Sequence, residues 1–260
     1  MINAINNFKK YRFLLVELIK KDIKLKYRRS YLGILWTLLE PILTTVVLTL
    51  VFSKAFGRGG ETFPVYILGG RLIYSYFSGT TKSALKSIRS NSAMIKKVYV
   101  PKYIYPLSTV LSGYVIFSIS LIVLVLSMIV FKVPFTVNFI GILYPLVMIL
   151  IMTLGVGMIL CTMAVFFRDL EYLWGVILML IMYCSAIFYD VDKMVGADKR
   201  NLWIFKWNPL YAIIVNVRNA IFGQPLDTFA SVYSLLFSFG TLLIGIWLFY
   251  KKQDKFILNI

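Results

Sequence analysis

The 260-residue chain is 60% hydrophobic and carries 28 Lys and Arg against 11 Asp and Glu, a formal net charge of +17. Soluble domains are about 45–50% apolar, so this composition, with a mean hydropathy of +0.81, excludes an ordinary soluble fold. The excess charge sits between apolar runs and not on a foldable soluble face, which points to membrane topology and anionic lipid and away from nucleic acid.

The apolar residues gather into runs of about twenty, the length a helix needs to cross roughly 30 Å of hydrocarbon. The runs are continuous and do not alternate, which sets aside a transmembrane barrel. The expected fold is an all-α membrane protein. The chain has no histidine, so the commonest metal ligand and general base are missing. Cys161 and Cys184 both lie inside apolar runs and form neither a disulfide framework nor a metal motif.

In chain order, residues 5–30 interleave Phe8, Tyr11, Leu14, Leu15, Leu18 and Leu25 with Lys9, Lys10, Arg12, Lys20, Lys21, Lys24 and Lys26. Apolar positions at three- and four-residue intervals predict an amphipathic helix lying in the membrane interface over residues 1–32. Residues 1–30 are charged throughout, so no cleavable signal peptide is expected. Six spans are expected within 33–250, near 33–53, 64–81, 104–130, 139–165, 172–189 and 229–250, followed by a tail at 251–260. Nine Lys and Arg fall in the N-terminal segment and six in 82–102, with Lys251, Lys252 and Lys255 in the tail. The opposite-side connections are poorer, with two between Lys54 and Glu61 and Lys132 alone in 131–138. The positive-inside rule places both termini and the 82–102 segment in the cytoplasm.

The long connection 190–228 lies outside on this reading. Asn208-Pro209 is a cap followed by a proline at the first helical position, and Gly223 with Pro225 supplies a stop. Leu210, Ile213, Ile214, Val217 and Ile221 keep helical period between them. A short amphipathic helix is expected there, re-entrant or packed on the spans, which implies protein or a cavity beside it.

Gly79-Thr80-Thr81-Lys82-Ser83 lacks the glycine spacing of a phosphate loop, and no strand precedes it. No dinucleotide fingerprint, nucleophile elbow or catalytic carboxylate pair is present, so neither an enzyme nor a cofactor in this chain is expected. Glu40 and Arg71 are the ionisable residues inside spans and are functional candidates on that ground, a structural ion pair or snorkelling being the alternative. Aromatic faces suit sugar rings, whose C–H faces are apolar. The candidates for lining a conduit are therefore Trp36, Glu40, Tyr66, Arg71, Tyr74, Phe77, Trp174 and Tyr183, with an interfacial aromatic belt as the alternative for those near span ends.

Four stretches, in order, resemble the transmembrane subunit of ABC-2-type polysaccharide exporters, the O-antigen, teichoic-acid and capsular permeases. They are Asp22-Ile23-Lys24-Leu25-Lys26-Tyr27-Arg28-Arg29-Ser30-Tyr31-Leu32-Gly33 continuing through Leu35-Trp36 to Glu40-Pro41, and Ile95-Lys96-Lys97-Val98-Tyr99-Val100-Pro101-Lys102 continuing to Pro106-Leu107-Ser108. Phe166-Phe167-Arg168-Asp169-Leu170 and Asn208-Pro209-Leu210 with Arg218 complete the set. The chain departs from many relatives at Gly69-Gly70-Arg71-Leu72-Ile73-Tyr74, where they carry tryptophan and phenylalanine.

The resemblance implies one ABC-2-type domain in a bacterial cytoplasmic membrane. It implies a homodimer with two copies of a separate ATPase that holds ATP and magnesium. It also implies a lipid-linked glycan substrate and an outer gate near Asn208, Pro209, Tyr211 and Arg218. Six helices enclose almost nothing, so a conduit for a sugar chain agrees with two copies about a two-fold axis. A permease for a small drug or lipid, or a membrane-embedded glycosyl- or acyltransferase, are the alternatives.

Between spans two and three, Asn91 to Pro101 reads as a short helix that couples to the ATPase. Asn91 is the expected N-cap, and Met94, Ile95 and Val98 form an apolar face for a groove on the partner. Lys96 and Lys97 are expected to reach its acidic rim, or else to set topology against lipid phosphates. Pro101 ends the helix near Tyr99.

Overall fold

The computed structural model describes residues 2–28, 30–56, 60–97, 100–189 and 205–259, and every element among them is helical. The helices are α1 (Ile2–Tyr27), α2 (Trp36–Phe56), α3 (Phe63–Ser90), α4 (Ser92–Lys97), α5 (Ile104–Val130), α6 (Leu143–Phe166), α7 (Leu170–Cys184), α8 (Pro209–Ile221), α9 (Thr228–Lys252) and α10 (Phe256–Asn259), with 3-10 turns leading into α2, α6 and α10. Four segments are long and apolar enough to cross a membrane: Gly33–Phe52, Ile104–Val130, Val137–Phe166 and Thr228–Lys255.

The other two expected spans take a different form. The stretch 64–81 lies inside α3, a 28-residue helix that continues through Lys82, Lys86 and Arg89. Its walls are protein: Val65, Leu68, Leu72, Ile73, Phe77, Ala84 and Ile88 are all buried, packed chiefly against α5 and α6. A helix sheathed by neighbours does not need a uniformly apolar surface, which is why a hydropathy window misses it. The stretch 172–189 forms α7, whose 15 residues span roughly 22 Å, less than the hydrocarbon thickness. Residues 185–189 leave the helix, with Ala186 at φ 46°.

Pro41 sits inside α2 and has no N–H for the carbonyl of Thr37 one turn earlier. Ser120 of α5 supplies the missing donor, its Oγ lying 3.0 Å from the Thr37 oxygen. Between α6 and α9 the backbones touch. A Cβ on Gly155 would lie 2.5 Å from the Leu242 nitrogen, and one on Gly245 2.6 Å from the Gly155 oxygen. Small residues permit this approach where no hydrophobic effect drives helices together in lipid.

Two cores result. The larger joins α3, α5, α6 and α8 through residues such as Leu68, Leu124, Ile149, Met152 and Ile213. The smaller gathers at the basic end, where Leu15 and Leu18 of α1 meet Ile88, Ile95, Tyr105, Cys161, Phe249 and Phe256. The segment after α9 is thus anchored through Phe256, which is fully buried, sits edge-on to Phe249 at 5.2 Å, and is flanked by Lys102, whose Nζ donates to the Gln253 carbonyl at 2.6 Å.

Gly155→Leu is expected to separate α6 from α9 and destabilise the protein by at least the upper part of the about 1–3 kcal/mol typical of overpacking. Gly240→Leu, where an added Cβ meets nothing within 4 Å, is expected to be neutral. Thermal unfolding in detergent checks both. Ser120→Ala leaves the Thr37 carbonyl bare in the bundle and is expected to lower stability by about 1–3 kcal/mol in the same assay.

Candidate functional site

A cavity of about 710 Å³ opens between the C-terminal part of α1 and helices α2, α3 and α5. Its walls are unusual for so apolar a bundle. Thr37, Thr44, Ser75, Thr80, Ser83, Ser87, Ser90, Thr109, Ser112 and Ser120 all line it, with Glu40 and Arg71 deeper in and Asp22, Lys26 and Asn91 toward the basic end. On α3 the lining runs from Arg71 to Ser90, which is roughly 28 Å of helix. The lining positions keep helical period on α3 and on α5, with Gly79, Gly113 and Ile116 among the hydroxyls, so each helix turns one largely polar stripe toward the groove.

Arg71 donates from Nε to Thr44 Oγ1 at 3.0 Å, and its terminal nitrogens make no hydrogen bond among the described residues. Glu40 attracts it electrostatically without an ion-pair contact among those residues. At the basic end, burial lowers the Lys26 pKa from the usual lysine value, opposed by the Glu40 charge. Burial raises the Asp22 carboxyl, opposed by Lys21, whose Nζ is 3.8 Å away. Ser87 and Tyr76 also line the groove at 2% and 5% exposure, but their hydroxyl oxygens are buried, beside Cys161 and Thr153 of α6 respectively. Among the described residues no group of three His, Cys, Asp or Glu side chains is placed to hold a metal.

The expected conduit residues divide. Glu40 and Arg71 meet in the groove, whereas the aromatics lie elsewhere in the protomer. Trp174 is buried, donates from Nε1 to Thr81 Oγ1 at 3.0 Å, and takes Phe77 edge-on at 6.3 Å. The Tyr74 hydroxyl donates to the Leu178 carbonyl at 3.0 Å. These three side chains close α3 against α7. Trp36 and Tyr183 are 43% and 58% exposed. The groove is therefore lined by ten serines and threonines, a signal carried by their spacing and not by the aromatic count.

At the opposite end, Asn208 Oδ1 accepts from the Leu210 N–H and caps α8, with Pro209 in the first turn. Asn208 Nδ2 also donates to the Cys184 carbonyl at 3.0 Å, closing the end of α7. Arg218, 6% exposed, donates to the carbonyls of Ala186 at 3.1 Å and Ile187 at 3.0 Å, while its guanidinium lies 3.5 Å over the Tyr66 ring. Gly70 makes room, since a Cβ there would lie 2.9 Å from Arg218 Nη2. Tyr211 is half-buried beside Phe205, with ring centroids 6.0 Å apart. Arg218 is thus an internal clamp on the chain after α7.

At the basic end two expectations change. Asn91 does not cap α4 with its side chain: Nδ2 donates back to the Ser87 carbonyl at 2.8 Å and Oδ1 accepts from Lys21 of α1 at 3.1 Å, because α3 runs up to Ser90 and leaves Asn91 at its end. Ile95 faces inward, 7% exposed, in the core shared with α1, α9 and α10. Met94 is 37% exposed, Lys96 and Lys97 are exposed and Pro101 is half-buried, while Val98 lies outside the described residues. Glu171 at the start of α7 pairs with Lys86 and with Arg89 at 3.6 Å, joining α7 to the basic end of α3.

Residues 14–222 match the family model described as ABC-2 type transporter, so the chain belongs to that family. It is 29% identical to an O-antigen export system permease protein RfbA of Klebsiella pneumoniae, over 94% of this chain and 93% of the relative. It is also 29% identical to the RfbA permease of Myxococcus xanthus, over 91% and 93%. The polysialic acid transport protein KpsM of Escherichia coli is 22% identical over 92% and 93%.

Arg218→Met is expected to remove two charge-assisted hydrogen bonds and the ring stack, lowering stability by about 3 kcal/mol. Arg218→Lys is expected to recover only part, because an ammonium lacks the planar fork that reaches both carbonyls and lies flat on Tyr66. Thermal unfolding, with hydrogen exchange at residues 185–189 as the local readout, checks both.

Proposed function

We propose that this chain is the membrane permease subunit of an ATP-driven exporter that moves lipid-linked polysaccharide out of a bacterial cytoplasmic membrane. The observation that carries the reading is the near full-length match to relatives named as O-antigen and polysialic acid export proteins. A hydroxyl-walled groove inside an apolar bundle supports it, since a polyhydroxyl cargo needs hydrogen-bond partners that lipid does not offer.

In this reading α3 and α7 join the four long apolar segments to make six crossings, and α8 is a re-entrant element held at the outer face. The basic end, with α1, α4 and α10, lies in the cytoplasm under the positive-inside rule, as do both termini. Two copies form the conduit, and the exposed α2 and α7 surfaces that carry Trp36 and Tyr183 contribute to it. Asn208, Pro209, Tyr211 and Arg218 belong to the outer gate as the residues that hold its backbone. Two copies of a separate nucleotide-binding subunit supply hydrolysis, with ATP and magnesium bound there.

Coupling runs through α4. With Ile95 committed to the internal core, the surface offered to the ATPase is Met94, Lys96 and Lys97. Six residues are too few for an isolated helix, so the core beneath Ile95 fixes the element.

Deletion of the gene is expected to abolish surface polysaccharide and leave lipid-linked glycan inside the cell; unchanged surface glycan refutes the reading. The rigorously purified chain is expected to show no ATPase activity, with hydrolysis appearing when the partner subunit is added. Met94→Asp is expected to reduce recovery of the co-purified ATPase while the permease stays folded, because a charge enters a desolvated contact. Ile95→Asp is expected to lower the melting temperature of the permease itself.

A further inference from the structure

We infer that the groove between α1, α2, α3 and α5 is a headgroup site within each protomer, which seats the phosphate-bearing, carrier-proximal sugar of the lipid-linked substrate. The inference rests on the export reading and adds to it a place and a chemistry. The groove is a cavity and not a surface stripe, about 710 Å³, within the roughly 300–1,000 Å³ typical of small-ligand sites.

Its polarity is directional. Ser83 donates to the Gly79 carbonyl at 3.0 Å, Thr109 to the Tyr105 carbonyl at 3.0 Å and Ser112 to the Thr109 carbonyl at 3.0 Å. With their protons used on their own helices, these oxygens face the groove as acceptors. Sugar hydroxyls supply the matching donors.

The deep end has the opposite character. Arg71 spends Nε on Thr44 and keeps its terminal nitrogens for a ligand. A guanidinium fork at this depth matches a phosphate in a bidentate mode. Arg71 therefore takes the phosphate, and the acceptor stripes of α3 and α5 take the sugar that trails toward the basic end. Glu40 and Asp22 also line the groove. They accept from sugar hydroxyls and discourage a ligand that is all phosphate. Membrane phospholipids with hydroxylated headgroups share this chemistry, and the test separates the two sources.

Gly79 provides a plug. It lines the groove, and a Cβ built on it meets nothing within 4 Å, so Gly79→Leu fills the cavity without displacing a neighbour. Gly240→Leu on α9 is the matched control, since its Cβ also meets open space.

The 260-residue chain, reconstituted in phosphatidylcholine nanodiscs, is titrated with three probes: a short-chain polyprenyl-diphosphate monosaccharide, the same glycolipid without phosphate, and phosphatidylglycerol. Binding is read by native mass spectrometry and tyrosine fluorescence. The expected result is saturable binding of the first probe, weakened about tenfold or more by Arg71→Gln and abolished by Gly79→Leu, but unchanged by Gly240→Leu. Removing the phosphate is expected to weaken binding and to erase the effect of Arg71→Gln. The site is overturned if none of the probes binds, or if Arg71→Gln and Gly79→Leu both bind the first probe as the unmodified chain does. The substrate assignment is overturned if phosphatidylglycerol binds as tightly with the same sensitivities. Either failure leaves the export reading standing, because that reading falls on unchanged surface glycan in the deletion strain.

Discussion

A backbone carbonyl inside hydrocarbon has no water to turn to, and much of this structure follows from how the chain meets that demand. At Pro41 and at the end of α7, where a helix is interrupted, a side chain from another element reaches the bare oxygen. Ser120 reaches Thr37 above Pro41. Asn208 reaches Cys184 at the end of α7, and Arg218 reaches Ala186 and Ile187 just beyond it. Tyr144 of α6 donates to the Ser231 carbonyl at 2.6 Å, and Ser238 of α9 donates to the Met148 carbonyl at 3.2 Å. Each of these bonds is also a tertiary contact, so satisfying the backbone and choosing helix neighbours are one event. The α8 segment shows this most plainly, since its cap residue closes two helices at once.

The same constraint explains why the groove tolerates so many hydroxyls. A serine or threonine in a membrane helix satisfies itself by donating to the carbonyl one turn back, so a polar stripe is cheap while it stays on the helix surface. The charged residues are the demanding ones. Glu40, Arg71 and Lys26 all line the groove, so each charge has polar neighbours within the protein. That arrangement lets α2 carry a carboxylate inside an otherwise apolar crossing.

Much of the fold was legible in the sequence. Long apolar runs gave α2, α5, α6 and α9 to within a few residues, and Asn208-Pro209 with a three-four apolar rhythm gave α8 with its cap in place. What was not legible depended on neighbours. The basic residues from Lys82 onward read as the connection after a short span at 64–81, yet the helix continues to Ser90, sheathed by α5 and α6. The apolar face of α4 was visible, but a face of six residues does not say whether it meets another protein or its own chain. Ile95 turns out to meet its own chain. Aromatic abundance drew attention to Tyr74, Phe77 and Trp174, which close the α3–α7 contact. The groove was written in the spacing of Thr109, Ser112 and Ser120 against Ser75, Gly79 and Ser83, and two separate helices must be superposed before that pattern means anything.

The burial of Ile95 has a mechanical consequence. A coupling element that docked through its whole apolar face would be free of the permease, and a push from a partner would be absorbed by the loops around it. Here the inward residue is wedged among Leu15 and Leu18 of α1, Phe249 of α9 and Phe256 of α10, and Lys21 of α1 holds Asn91 at the end of α3. Packed side chains transmit displacement because interiors are dense and resist compression. In the proposed coupling, a push at Met94 and Lys97 would reach α1 and the basic ends of α3 and α9 together, because all of them share this core. Since α1 and α3 are also two walls of the groove, the proposed coupling element and the groove share one packed core at the basic end.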